Sequence, residues 1–192
     1  MPGPTYDQAV AALTERLSGP ALRHSLATGE EAARLAVLYG VDPETARLAG
    51  VLHDWAREES AEELLRRASE AGVEISEVDR CVPYLLHGPV GALQVQETFP
   101  GISENAVHAI ARHTMGSRSM TPLDLVVYLA DMLEPGRCYP EVDDLRALVG
   151  VASLRDLFGE AYAASIRHLV GRRKRIHPAT VEAWNAIVAG EC

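Results

Sequence analysis

The stretch "YGVDPETARLAGVLHD", Tyr39–Asp54, decides how the chain is to be read. Its first half is helix punctuation. Gly40 can take the left-handed conformation that closes a helix, Asp42 can cap the next, and Pro43 suits a first turn, where an N–H has no partner anyway. An apolar, helical run follows. It ends on an imidazole and a carboxylate, His53 and Asp54, where the pattern asks for core.

The same punctuation recurs outward in both directions. "TYDQAVAALTERL" sets Ala9, Val10, Leu13 and Leu17 on one face, and "HSLATGEEAARLAVLY" does so with Leu26, Ala33, Val37 and Leu38. "SAEELLRRASEAG" runs from a Ser60 cap to a Gly72 stop, and "GISENAVHAIARHTMG" from Ser103 to Gly116. "MTPLDLVVYLADMLEPGR" repeats the scheme with Thr121, Pro122 and Pro135, and Pro89 helps to start a helix after His87. "VASLRDLFGEAYAASIRHLVGRR" and "HPATVEAWNAIVAG" complete the series. Alternating strands and Asn-Gly hairpin turns are nearly absent. The expectation is an all-α fold of eight or nine helices in one domain over 1–192. Its centre spans about 20–137, and helices at about 142–190 close the bundle.

Composition narrows the function classes. At 192 residues, 47% hydrophobic and 23% charged, the chain has the balance of an ordinary globular protein. A formal charge of −9 argues against nonspecific nucleic-acid binding. The basic run "GRRKRIHP", with Arg172–Arg175, reads as a solvated face. "MPGPTYDQAVAAL" lacks the form of a signal peptide, and no apolar run is long enough for a membrane span. Cys81, Cys138 and Cys192 fit neither a disulfide framework nor a zinc pattern, so a cytoplasmic setting is expected.

Three polar features break the helical pattern. His53-Asp54 reads either as a helix-terminal histidine with a solvated neighbour or as part of an ion site. Asp131 stands near the end of an otherwise apolar helix, where the dipole disfavours an anion. It calls either for an arginine such as Arg137 or for a metal. His24, His87 and His113 fall near other helix ends, while His108, His168 and His177 lie elsewhere. Nitrogen and carboxylate donors without sulfur suit iron, manganese or similar ions, and helical bundles build such sites from facing helices.

The order His24, His53-Asp54, His87, His113, Asp131 resembles the HD-domain metal-dependent phosphohydrolases. More narrowly, "LHDWAR", "LHGPVGA", "ARHTMG" and "MTPLDLVVYLADMLEPGR" resemble the YqeK-type symmetrical bis(5′-nucleosyl)-tetraphosphatases. The last segment is similar to that family's "Y-x-A-D-x-I-E-P-x-R". The resemblance implies a two-metal centre, of iron or else manganese. His24, His53, Asp54 and Asp131 would hold one ion, with Asp54 bridging to a second held by His87 and His113. It implies His53 and Asp54 as catalytic positions, and Arg57, Glu134 and Arg137 near the substrate.

The implied reaction is cleavage of diadenosine tetraphosphate to two ADP by metal-activated water, in a chain with a homodimer as a candidate assembly. Ala21 and Leu125 stand where many relatives carry an arginine and a lysine. Trp55, Tyr84 and Tyr128 are candidates to stack on a base or to fill the core. Alternatives are an HD phosphohydrolase for mononucleotides, triphosphates or cyclic dinucleotides, a non-catalytic nucleotide-binding module, and a helical protein with incidental histidines.

Overall fold

Gly40, Asp42 and Pro43 take the forms that their chemistry favours. Gly40 adopts φ 71° and ψ 30°, and its N–H reaches back to the Ala36 carbonyl. The Asp42 carboxylate accepts the Thr45 N–H at 2.8 Å, and Pro43 opens the next helix. The structure, a computed structural model, describes residues 3–191; Met1, Pro2 and Cys192 lie outside them.

Eleven α-helices follow one another among these residues, with no strand. They are α1 (Tyr6–Thr14), α2 (Gly19–Tyr39), α3 (Pro43–Leu52), α4 (Ala61–Glu70), α5 (Glu77–Cys81), α6 (His87–Thr98), α7 (Glu104–Arg112), α8 (Pro122–Leu133), α9 (Val142–Leu148), α10 (Leu154–Gly171) and α11 (Pro178–Ala189). A 3₁₀ turn, Pro83–Leu86, leads into α6. The all-α expectation is met, but the count of eight or nine is too low. The additional helices, α5 and α9, have five and seven residues, too short to display a period. His87 is itself the first residue of α6, so Pro89 sits inside the first turn instead of opening it. No helix among the described residues is long and apolar enough to cross a membrane.

α8 is the axis of the fold. Thr121 and Asp124 form a reciprocal capping box at its start, and Leu125, Val126, Val127, Leu129 and Ala130 behind it are at most 2% exposed. Asp124 is also buried, and Arg112 at the end of α7 pairs with it at 2.7 Å. Leu125 faces the core. One apolar core runs from Ala9 and Leu13 of α1 to Ala183 and Ala186 of α11. A smaller cluster of Ala56, Leu64, Ala68, Leu86 and Val90 lies under α4.

Two close helix approaches set the spacing of the site. α2 and α3 cross where Gly29 meets Gly50: a Cβ added at Gly50 would lie 2.9 Å from Ala32 Cβ and 3.0 Å from the Thr28 carbonyl oxygen. α6 meets the end of α7 at Gly88, where a Cβ would lie 3.1 Å from the Ala111 carbonyl oxygen. Glycine is required at both for the approach itself. The C-terminal helices cover the other side of α8, with the rings of Tyr128, Phe158 and Tyr162 in edge-to-face and tilted contact at 5.1–5.5 Å. α11 is tied to α5 by His177, whose Nδ1 accepts the Ala179 N–H at 3.1 Å. Its Nε2 stands 3.1 Å from Asp79 and 3.0 Å from Ser76.

Candidate metal centre

The expected donors come from five elements, at or near their ends. His53 is the residue on which α3 ends, His113 the one on which α7 ends, and His87 the one on which the 3₁₀ turn ends. Asp131 lies in the last turn of α8, while His24 stands one turn into α2. The last carbonyls of a helix lack partners within it. Here they receive one: Nδ1–H of His53, His87 and His113 donates to the carbonyl three residues earlier, on Gly50, Tyr84 and Ile110, at 2.7, 2.6 and 2.7 Å. His24 follows the same plan with a side chain, its Nδ1 lying 3.1 Å from Glu134 Oε1. All four imidazoles thus turn Nε2 inward, and their outer nitrogens are anchored as metal-binding histidines usually are.

The donor atoms sort around Asp54, which is fully buried, so the solvated-neighbour reading fails. Its Oδ2 lies 3.2 Å from His53 Nε2 and 3.6 Å from His24 Nε2. Asp131 Oδ1 closes this set at 2.9 Å from His24 and 3.6 Å from His53. The other oxygen, Oδ1, lies 3.2 Å from His87 Nε2 and 3.7 Å from His113 Nε2. Donors about 2.1 Å from a shared ion stand about 3 Å from one another at right angles, so both sets have the spacing of a coordination shell.

Three further observations fit a cation. A main-chain carbonyl only accepts, so a neutral His87 or His113 carries its lone pair on Nε2, yet these two nitrogens face each other at 3.0 Å. That pairing repels unless positive charge lies between or beside them. His53 Nε2 and Asp54 Oδ1 are buried without a hydrogen-bond partner. Helix C-termini converge here, and their dipoles favour positive charge.

The electrostatics agree. Burial works to lower His53, but the carboxylates of Asp54 and Asp131 outweigh it and raise the imidazole to about 10. Burial likewise opposes the charged forms of Asp54 and Asp131. The histidines around both, with Arg137 beside Asp131, nevertheless hold them well below the usual carboxylate range. Burial, followed by the positive charge favoured at His53, lowers His113 to about 3 and keeps it neutral.

The arginines border the donors. Arg57 Nη1 lies 2.5 Å from Asp54 Oδ2, and Arg137 pairs with Asp131 while its Nε donates to the Asp131 carbonyl at 2.7 Å. The Arg137 partner considered for Asp131 is therefore present, within the cluster and not in place of it. Both guanidinium side chains keep 32% exposure and line the cleft above the donors. Glu134, expected near the substrate, borders the groove on the α2 side. It is 4% exposed, and its oxygens are engaged by His24 and by the Gly136 N–H at 2.5 Å.

Trp55 is a core residue against Phe99 at 5.8 Å, and only Tyr84, 43% exposed, stands open at the mouth. Tyr128 is buried but borders the cleft, its hydroxyl 3.0 Å from Ser165. One group escaped the sequence reading although it lies in a quoted segment: Thr114, whose hydroxyl is 3.0 Å from His113 Nε2.

Comparison with known proteins gives a consistent picture. The HD domain family model matches residues 21–136. The symmetrical bis(5′-nucleosyl)-tetraphosphatase of Bacillus subtilis is 29% identical over 184 residues, 96% of this chain and 98% of the relative. That of Halalkalibacterium halodurans is 31% identical over 171 residues, covering 86% and 88%. A crystal structure of a "predicted HD superfamily hydrolase involved in NAD metabolism" from Clostridium acetobutylicum superposes with a TM-score of 0.90 at 32% identity, covering 97% and 98%. The resemblance read from the four sequence segments is borne out along nearly the whole chain, which belongs to the HD-domain family.

Proposed function

We propose that the protein is a metal-dependent phosphohydrolase that cleaves diadenosine tetraphosphate, with one water, symmetrically into two ADP. The observation that carries this reading is Asp54, which turns one oxygen to each of two donor sets while Arg57 and Arg137 border the cleft beside them. Relatives of nearly the same length bear the name of that activity.

His24, His53, Asp54 and Asp131 would hold one ion, and Asp54, His87 and His113 a second. Iron is the metal we assign, with manganese as its substitute, and the cytoplasm is the setting. A divalent metal bound there supplies Lewis acidity at phosphoryl oxygens and lowers the pKa of a bound water.

The chain's own groups do the rest. Arg57 and Arg137, held in place by Asp54 and Asp131, offer donors to phosphate oxygens whose charge shifts during transfer. Thr114 presents a hydroxyl beside His113. His53 and Asp54, buried under the cleft, act as ligands and not as groups in contact with substrate. Glu134 acts through His24 as a positioning residue.

The test is a substrate panel containing diadenosine tetraphosphate, mononucleotides, nucleoside triphosphates, cyclic dinucleotides and NAD, with iron or manganese added. ADP as the sole product of the tetraphosphate is expected. Asp54→Asn should lower both metal content and turnover, the latter at least about 100-fold. Full activity in Asp54→Asn, or in the presence of a chelator, would sink the proposal.

A further inference from the structure

The cleft over the donors is about 260 Å³ and opens on both sides into larger spaces. On the α10–α11 side is a cavity of about 400 Å³ that shares Thr114, Tyr128, Met132 and Ser165 with the cleft. Its walls are mostly apolar (Leu85, Met115, Ala164 and Leu169 among them), with Glu141, His168 and the exposed Arg175 also bordering it. Arg175 is the one member of the basic run Arg172–Arg175 that borders it. On the α2 side is a groove of about 420 Å³ lined by exposed Ser18, Pro20, Glu58 and Gly136. It offers no Phe, Tyr or Trp and no long apolar side chain; its one aromatic ring is the His24 imidazole, which is turned toward the donors and only 13% exposed. Arg137 borders all three spaces, so they form one path with the donors at its middle.

A substrate with a nucleoside at each end of a polyphosphate would meet two unlike arms. The apolar cavity has the size and lining of a small-molecule site, and a flat base can bury both faces there, with the Arg175 guanidinium free to stack on its edge. The open groove, walled by exposed and polar residues, gives a base far less apolar surface to bury against. Resting on the phosphohydrolase reading above, we propose that the enzyme reads one nucleoside only: one base is enclosed between α8, α10 and α11, and the other lies in the open groove unread.

The chemical symmetry of the substrate makes this measurable. For an enzyme that reads one base, a mixed dinucleoside tetraphosphate binds productively in one of two orientations. Its kcat/KM is then the arithmetic mean of the two symmetric substrates. For an enzyme that reads both bases it is the geometric mean. If the diuridine substrate is about tenfold poorer than the diadenosine one, the mixed adenosine–uridine substrate keeps about half of the diadenosine rate, against about one third for two equal readers.

The experiment measures kcat/KM for the three substrates in wild type, Ala164→Leu and Arg175→Ala, with ADP binding by calorimetry alongside. The expected results are the arithmetic mean, one tight ADP site per chain, and discrimination reduced at least about threefold in either variant. Arg175 is exposed, so its variant tests the cavity even if Ala164→Leu fails to fold. A geometric mean, no base discrimination, two equal ADP sites, or unchanged discrimination in Arg175→Ala would overturn the inference. Absence of any hydrolysis by metal-loaded wild type would instead overturn the function on which it rests.

Discussion

Replacing Gly50 with alanine is expected to destabilise the protein, although alanine is the better helix former by about 0.5–1 kcal/mol. The added methyl would stand 2.9 Å from Ala32 Cβ, 3.0 Å from the Thr28 carbonyl oxygen and 3.1 Å from Gly29 Cα. Two of these three atoms are backbone, so relief requires α3 to move away from α2. Overpacking of this kind costs about 1–3 kcal/mol, and the upper half of that range applies where no side chain can swing aside. The net loss is about 1–2.5 kcal/mol, or a fall in Tm of about 2–10 °C for a chain of this size. The displacement also reaches the donors, because the Gly50 carbonyl holds His53 and α2 carries His24. Metal affinity should drop about tenfold.

Gly159→Ala is the internal control. It makes the same substitution inside α10, where the new methyl meets only Ile187 Cγ2 at an ordinary 3.6 Å. That variant should gain about 0.5–1 kcal/mol. The assay is thermal unfolding of the metal-stripped proteins by circular dichroism, which keeps ligand binding out of Tm, followed by titration with manganese. A Gly50→Ala protein as stable as wild type would refute the idea that backbone contact sets the α2–α3 spacing.

Other outcomes follow from the same geometry. Glu134→Gln keeps an acceptor for His24 but removes its charge, so metal affinity should weaken about tenfold with little change in Tm, as read by titration of the stripped protein. Arg57→Lys keeps the charge but not the planar fork. It should raise KM for the tetraphosphate several-fold more than it lowers kcat, which steady-state kinetics would resolve. Burial works to raise Asp79, but hydrogen bonds from the Ser76 hydroxyl and N–H outweigh it and hold the carboxyl below its ordinary value. Its contribution is therefore complete above about pH 4 and is lost as pH falls through the lower folded value. Asp79→Asn should flatten the acid side of a stability-against-pH curve. An unchanged slope would mean that the Asp79 carboxylate and its Ser76 cap contribute nothing there.

The sequence announced these features unevenly. Gly40, Asp42 and Pro43 were legible because caps and stops act within a few residues of themselves. The six donors stood out because each is polar at a helix end, and the structure brings all six together. α5 and α9 were not legible, since five or seven residues do not define a period. The role of Glu134 was hidden for a different reason. Its partner His24 lies 110 residues away, and only the α2–α8 packing joins them. The unlike arms of the cleft likewise arise from α10 and α11, whose sequences show a helical pattern and no chemistry of their own.

Three of the four inward-facing imidazoles are steered by main-chain oxygens. Every amino acid carries such an oxygen, so no substitution at Gly50, Tyr84 or Ile110 removes the acceptor itself. Mutational drift can reach this supporting layer directly only at Glu134, or indirectly by shifting a helix end. Homologous chains can therefore change the side chains at Tyr84 and Ile110 without losing these acceptors, whereas Gly50 is fixed by the α2–α3 approach and Glu134 by its carboxylate. Moving the centre into another helical scaffold would mean copying helix ends first and side chains second.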